Sequence, residues 1–192
     1  MTQSLAGRRR AEATALPDWV KPQLTRLVDQ PPQGSDWLHE IKFDGYRMHA
    51  RLNRATVRLL TRTGLDWTPK YPAIAAAIAS LPAREAYLDG ELCGVRPDGT
   101  TSFSLIQNAS DSGNSDALVF FLFDLLHLDG EAIHELPLRD RKERLRDLLS
   151  GAGSPLHFSD HQIGCGRAFY DRACALKVEG IVSKWVECPT NA

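Results

Sequence analysis

No stretch of this sequence approaches the ~20 consecutive apolar residues a membrane-spanning helix requires, and the opening MTQSLAGRRR has arginines without the apolar core of a secretory signal. A cytoplasmic protein with no membrane partner is therefore expected. Cysteine is scarce: Cys93, Cys165, Cys174 and Cys188 form no Cys-x-x-Cys pair, and the six histidines do not flank them at zinc-finger spacing. This argues against a structural zinc module, and the thiols are expected to be reduced and mostly buried. Asn108-Ala109-Ser110 spells a glycosylation acceptor, but nothing else points to secretion. The sequence also lacks a Gly-rich Rossmann or Walker loop, internal repeats and low-complexity tracts, so any phosphate chemistry must use another device.

What is present suits a globular domain: 192 residues, 43% hydrophobic and 24% charged, with a net charge of −1. The average hides an asymmetry. Residues 1–66 hold 11 lysines and arginines against 7 acidic residues, whereas the remainder holds 12 against 17. A basic first third gathered on one surface would face a polyanion; scattered over the molecule, it is ordinary solvated charge.

Residues 1–16 read as a flexible basic arm or linker, 17–186 as the folded domain and 187–192 as a tail. From Pro17 to about Asp29, Trp19, Val20, Leu24, Leu27 and Val28 recur at helical spacing, which predicts a short amphipathic helix or less regular packing. Trp37–Lys42, Tyr46–Leu52 and Thr56–Thr61 alternate like strands. Pro72–Leu81 is alanine-rich and helical, Ala86–Val95 returns to strand, and Arg96-Pro97-Asp98-Gly99 marks a turn. Phe103–Ala109 reads as helix, Asp111–Asp116 as loop and Ala117–Leu126 as a central strand. Pro137 opens a charge-laden helix with a leucine stripe at 138, 145, 148 and 149, whose Arg/Asp/Glu run is expected to be solvated. Leu156–Ser159 and Glu179–Trp185 are candidate strands around a helix at Gly166–Leu176. Strands broken by separate helices predict an α+β domain with antiparallel sheets.

The chemistry concentrates in Glu40-Ile41-Lys42-Phe43-Asp44-Gly45-Tyr46-Arg47, where an apolar strand runs into a turn. A lysine there is costly to bury unless paired, so it marks an edge or a chemical role. Desolvation and nearby cations lower a lysine's proton affinity, which is how an amine becomes a nucleophile.

Lys42-x-Asp44-Gly45-x-Arg47 resembles the nucleotidyl-transfer motif of ATP-dependent DNA ligases, RNA ligases and mRNA capping enzymes. The resemblance continues in order: Thr61-Arg62-Thr63-Gly64, then Tyr87-Leu88-Asp89-Gly90-Glu91-Leu92, then the aromatic strand Phe120–Leu126, then Glu179-Gly180-Ile181-Val182-Ser183-Lys184. From about Pro17 to Lys184 the chain is similar to the ligase domain of bacterial multidomain end-joining ligases. That implies a nucleotidyltransferase (ATP-grasp-like) fold, with antiparallel sheets flanked by helices.

By resemblance, Lys42 attacks the α-phosphate of ATP and carries AMP, which passes to the 5′-phosphate of nicked duplex DNA before the 3′-hydroxyl seals the strand. Glu40 is implied to contact the adenine side of the pocket, Arg47 and Glu91 to hold AMP, and Arg62 to reach the ribose or the nick phosphate. Phe123 is the match for the ring that stacks on adenine, with core packing as the competing role and Phe120 and Phe121 beside it. Glu179 resembles the carboxylate that binds Mg²⁺ or Mn²⁺, Asp44 either supports that site or braces the turn, and Lys184 either touches phosphate or is simply exposed. Gly45 and Gly90 are read as turn glycines.

The family's following lysine motif and its OB domain are not found after Val186. The expected activity is therefore that of an adenylation domain, with a noncatalytic nick-binding remnant, a split-ligase subunit served by a separately encoded OB domain, and an RNA ligase or capping-type enzyme as alternatives. A Ku-type end-binding protein is the implied recruiting partner.

Overall fold

The computed structural model describes residues 13–112, 117–176 and 178–190. Most of the arm read at residues 1–16, part of the loop read at 111–116, and the end of the tail lie outside the described residues. The described elements are strands β1 (Trp37–Ile41), β2 (Tyr46–Asn53), β3 (Thr56–Thr61), β4 (Glu85–Gly94), β5 (Leu118–Leu128), β6 (Leu156–Phe158), β7 (His161–Ile163) and β8 (Ile181–Trp185). The helices are α1 (Pro72–Ala79), α2 (Phe103–Ser112), α3 (Leu138–Leu148) and α4 (Gly166–Ala175).

The strands form two sheets. A five-stranded sheet has the order β3-β2-β4-β5-β6, antiparallel except where β6 runs parallel to β5, and a three-stranded antiparallel sheet has the order β7-β1-β8. The α+β class and the antiparallel character hold, and the strand read at Leu156–Ser159 is β6, though it runs parallel to β5. Strand β7 has no counterpart in the sequence reading, since three residues are too few to leave a periodic signal.

Strand alternation divides the five-stranded sheet into two chemically different faces. Met48, Ala50 and Leu52 of β2, Leu88 and Leu92 of β4, and Phe120 and Leu122 of β5 enter the main core. Ile74 and Ile78, one turn apart on α1, join it with Ile106 of α2 and Leu145, Leu148 and Leu149 at the end of α3. Burying each isoleucine contributes about 1.5–3 kcal/mol. The intervening residues Arg47, His49, Arg51, Tyr87, Asp89 and Glu91 face the other way.

The Pro17–Asp29 segment is neither helix nor strand. Pro17 and Pro22 deny it two backbone donors, Pro31-Pro32 follow it, and side chains of the sheet satisfy some of its polar groups instead. Arg51 Nε donates to the Pro17 carbonyl (2.9 Å), Arg47 Nη1 to that of Gln23 (2.5 Å), and Val20 N–H donates to Tyr87 Oη (3.0 Å). The apolar residues read as a helical stripe are divided: Val20 is buried against Tyr87 and Leu126, while Leu24, Leu27 and Val28 are exposed.

Helix α3 corrects a second expectation. Arg141 and Lys142 are buried instead of solvated. Arg141 makes a two-pronged pair with Asp124 of β5 (Nε–Oδ1 2.8 Å, Nη2–Oδ2 3.0 Å), and its Nη1 donates to the carbonyls of Leu136 and Cys188. Lys142 pairs with Glu40 of β1. Adjacent residues of one helix thus brace the two sheets, beside an apolar contact of Leu38, Leu138 and Val186. The thiols are free, but only Cys93 is buried; Cys165, Cys174 and Cys188 are exposed on or beside α4 and after β8. Helix α2 extends through Asp111 and Ser112, which had been assigned to the following loop.

Candidate active site

The β1–β8 pairing brings Lys42 to Glu179. Ile41 lies opposite Ile181, and the Lys42 N–H donates to the Gly180 carbonyl (2.9 Å), so the two residues beyond the paired ends face each other. Their side chains form an ion pair, 43% and 45% exposed respectively. The contact is open to solvent and exchangeable.

Across from it, β2 and β4 pair Arg47 with Glu91. Gly45 makes this approach possible: a Cβ there would overlap the Leu92 carbonyl oxygen and crowd Cys93 Sγ. Gly90 lies within β4, not in a turn, and its constraint is also close packing, against the Phe121 carbonyl and the Phe120 ring. Arg47 is locked by a double contact with Asp89 (Nε–Oδ1 3.1 Å, Nη2–Oδ2 2.7 Å). Behind it, His49 Nε2 stands 3.3 Å from Asp89 Oδ1, and His49 Nδ1 is 2.8 Å from Tyr87 Oη. Burial pushes the Asp89 carboxyl upward, but His49 and Arg47 outweigh it and hold it down at about 2.

Glu91 shows the opposite balance. Burial pushes its carboxyl up to about 8; Arg47 and Lys42 oppose the shift, while Asp89 and Glu179 reinforce it. It lines a cleft of about 360 Å³ with Arg47, Arg62, Thr61 and Trp67. Arg62 reaches the cleft from the turn after β3, where Thr61 accepts the Gly64 N–H at its carbonyl (2.9 Å) and the Leu65 N–H at Oγ1 (3.0 Å). This leaves Arg62 exposed at the rim.

On β5, Phe120 points into the core, whereas Phe121 and Phe123 share the opposite face. Phe121 is already stacked on Phe43, with ring centroids 4.0 Å apart and planes 8° apart. Phe123 has cations against it: Lys184 Nζ lies 4.4 Å from its centroid and Arg47 Cζ 5.4 Å. Glu40, beneath, is buried with both carboxylate oxygens engaged, Oε1 by Lys142 and Oε2 by Lys184. Burial alone would raise its carboxyl, but the two ammonium groups prevail and lower it. Lys184 is thus an ion-paired residue and not a merely exposed lysine, while Asp44 is exposed next to the Lys42 turn.

The fold therefore gathers Arg47, Glu91 and Arg62 around one cleft, brings Lys42 and Glu179 near enough to Glu91 to act on its charge, and joins Glu40, Lys184 and Phe123 in a neighbouring cluster. Sequence reading passed over Asp89, His49, Phe43 and Lys142. Arg141 and Lys142 had a usable signal, since they stand respectively at i+3 and i+4 from Leu138 and at i−4 and i−3 from Leu145, on the apolar stripe itself.

Residues 20–190 match the family model described as the ATP dependent DNA ligase domain. The chain is 40% identical over 172 residues to the multifunctional non-homologous end joining protein LigD of Pseudomonas aeruginosa, covering 89% of this chain and 20% of that protein. It is 33% identical over 144 residues to the bifunctional non-homologous end joining protein LigD of Bacillus subtilis, covering 67% and 23%. Among solved structures, it resembles the ligase domain from M. tuberculosis LigD with a TM-score of 0.70 at 30% identity, over 83% of this chain and 52% of that one. A mycobacterial DNA ligase D complexed with ATP and MES gives the same score and identity, over 83% and 51%. The chain spans about a fifth of the length of these two curated relatives. On the family match and the shared fold, the chain belongs to the ATP-dependent DNA ligase domain family.

Proposed function

We propose that this chain performs the nucleotidyl-transfer chemistry of an ATP-dependent DNA ligase, serving strand sealing in end-joining repair and recombination. The observation that carries the reading is the open Lys42–Glu179 pair near the fixed Arg47 and near Glu91, whose carboxyl burial pushes up to about 8. An amine held by one exposed contact is free to leave it for a substrate.

In this reading the Lys42 amine gives up its extra proton to solvent and attacks the α-phosphorus of ATP. The new P–N bond replaces the P–O bond to pyrophosphate, which departs, and the amine's second proton goes to solvent. Arg47 and Arg62 spread the phosphate charge, Glu91 holds the ribose, and Phe123 offers its face to the base. AMP then passes to the 5′-phosphate of nicked double-stranded DNA, helped by Arg62 at the rim, and the adjacent 3′-hydroxyl displaces it.

Among the described residues, no cluster of three His, Cys, Asp or Glu side chains could cage a metal. Mg²⁺ needs no such cage, because it takes one or two carboxylates and completes its shell with water and phosphate. Glu179 fits that donor set and would hold Mg²⁺ or Mn²⁺; when bound, the ion neutralises phosphate charge. Among the described residues no helix is long and apolar enough to cross a membrane. Recruitment by a Ku-type protein and clamping by an OB domain complete the proposed setting.

Intact-protein mass spectrometry after incubation with ATP and Mg²⁺ tests the reading, with Lys42→Ala in parallel and GTP as control. The expected result is a gain of one adenylyl group, with ATP only, lost in Lys42→Ala. A folded wild-type chain that never gains the adduct would overturn the reading in favour of a nick-binding module.

A further inference from the structure

The pairing of Lys142, Glu40 and Lys184 is asymmetric. Lys142 is 1% exposed, and its ammonium is saturated by Glu40 Oε1, the Ser159 carbonyl (2.7 Å) and the Phe158 ring (centroid 4.5 Å). Lys184 is 25% exposed and holds Glu40 Oε2 while lying against the Phe123 ring. One carboxylate thus serves two ammonium groups, one enclosed and one with a way out. A buried carboxylate stripped of its only cation becomes an uncompensated charge, which costs several kcal/mol. With Lys142 in place, Glu40 can release Lys184 without reaching that state.

A purine stacking on Phe123 competes with Lys184 for the ring, and an exocyclic amine offers Glu40 Oε2 a donor in exchange for the ammonium. We propose that Lys142 is a positioning residue: it anchors Glu40 through Oε1 so that Oε2 can pass from Lys184 to the amino group of an adenine, while Lys184 swings toward the nucleotide phosphates. This inference rests on the nucleotide-binding reading above. It explains why α3 places a lysine on its buried stripe beside Leu138, Arg141 and Leu145, and why the Lys142–Glu40–Lys184 cluster carries one more positive than negative charge. An arriving polyphosphate balances that excess.

The test is calorimetric titration of the full chain with ATP and with GTP, which presents a carbonyl where adenine presents the amine. Wild type should prefer ATP. In Lys142→Met, Lys184 becomes the sole counter-charge of Glu40 and cannot leave, so ATP affinity should fall about tenfold while GTP affinity changes about twofold or less. Lys142→Arg should keep the wild-type preference. A purely structural lysine would lower melting temperature and leave the ATP-to-GTP ratio of the folded protein unchanged, and that result would overturn the proposal.

If Lys142→Met does not fold, the neutral pair Glu40→Gln/Lys142→Met replaces it, since removing both buried charges is tolerated far better than removing one. Its amide can face either base, so ATP and GTP should bind within about threefold of each other. Retention of the full ATP preference there would also overturn the proposal. Wild type that prefers ATP but never forms the Lys42 adduct would overturn the adenylation reading alone. Wild type that binds neither nucleotide, or both equally, would overturn this inference.

Discussion

The two sheets contribute neighbouring walls of opposite mechanical character to the site. On the five-stranded side, Arg47 is held by both Asp89 oxygens and the Gln23 carbonyl, with His49 and Tyr87 stacked behind in a buried polar chain. On the three-stranded side, Lys42 and Glu179 share one solvent-exposed contact at the ends of their strands. Both walls are cationic, yet one cation is fixed by three hydrogen bonds and the other has a single partner it can discard. The difference suits a division of labour in which the fixed wall orients a nucleotide and the loose wall reacts with it, because orientation requires rigidity and nucleophilic attack requires a free amine.

The sharpest way to break this contrast is to unlock the fixed wall. Asp89→Ala leaves Arg47 and His49 beside a void and should lower stability by about 3–5 kcal/mol in denaturant titration. The strap from Pro17 to Val28 should then become more accessible to proteolysis. Gly45→Ala, which drives a methyl into the Leu92 carbonyl, should cost about 1–3 kcal/mol by the same measurement. It should also slow Lys42 adenylylation, since the displaced turn carries the lysine.

Proton linkage distinguishes two carboxylates on the fixed wall. Asp89 is lowered from 3.8 to about 2, so its contribution is present above pH 3.8 and is lost as pH falls toward 2. Glu91 is raised from 4.5 to about 8, so its contribution is complete below pH 4.5 and is lost as pH climbs through 8. Melting temperature of wild type relative to Glu91→Gln should therefore decline between pH 4.5 and about 8; a constant difference over that window would mean that the Glu91 carboxyl is not raised. The smallest expected effect is on the loose wall. Glu179→Gln should change stability by less than about 1 kcal/mol, as exposed ion pairs do, while sharply reducing adenylyl transfer.

Much of the five-stranded sheet was legible because its strands are long enough to alternate: Tyr46–Asn53 and Leu118–Leu128 put apolar and functional residues on opposite faces by period alone. The reactive segment around Lys42 was legible for a different reason, its ordered motifs. The strap at Pro17–Asp29 was only half legible, since apolar spacing suggested a helix or less regular packing, while its prolines and borrowed hydrogen bonds produced a run that is neither helix nor strand. Phe123 could be set apart from Phe120 by strand alternation, but the stacking of Phe121 on Phe43 depends on a residue 78 positions away.

The sequence by itself determined the class of the fold and singled out Lys42 and the motif residues grouped with it, because these depend on short-range pattern: strand period, turn chemistry and residue type at fixed spacing. Only the tertiary structure decided which charges are spent on one another. Arg47 with Asp89, Lys142 with Glu40 and Arg141 with Asp124 are separated by 42, 102 and 17 residues. Whether a lysine on a helix is solvated or enclosed depends on what packs over it, and packing brings together groups whose separation along the chain carries no local signal.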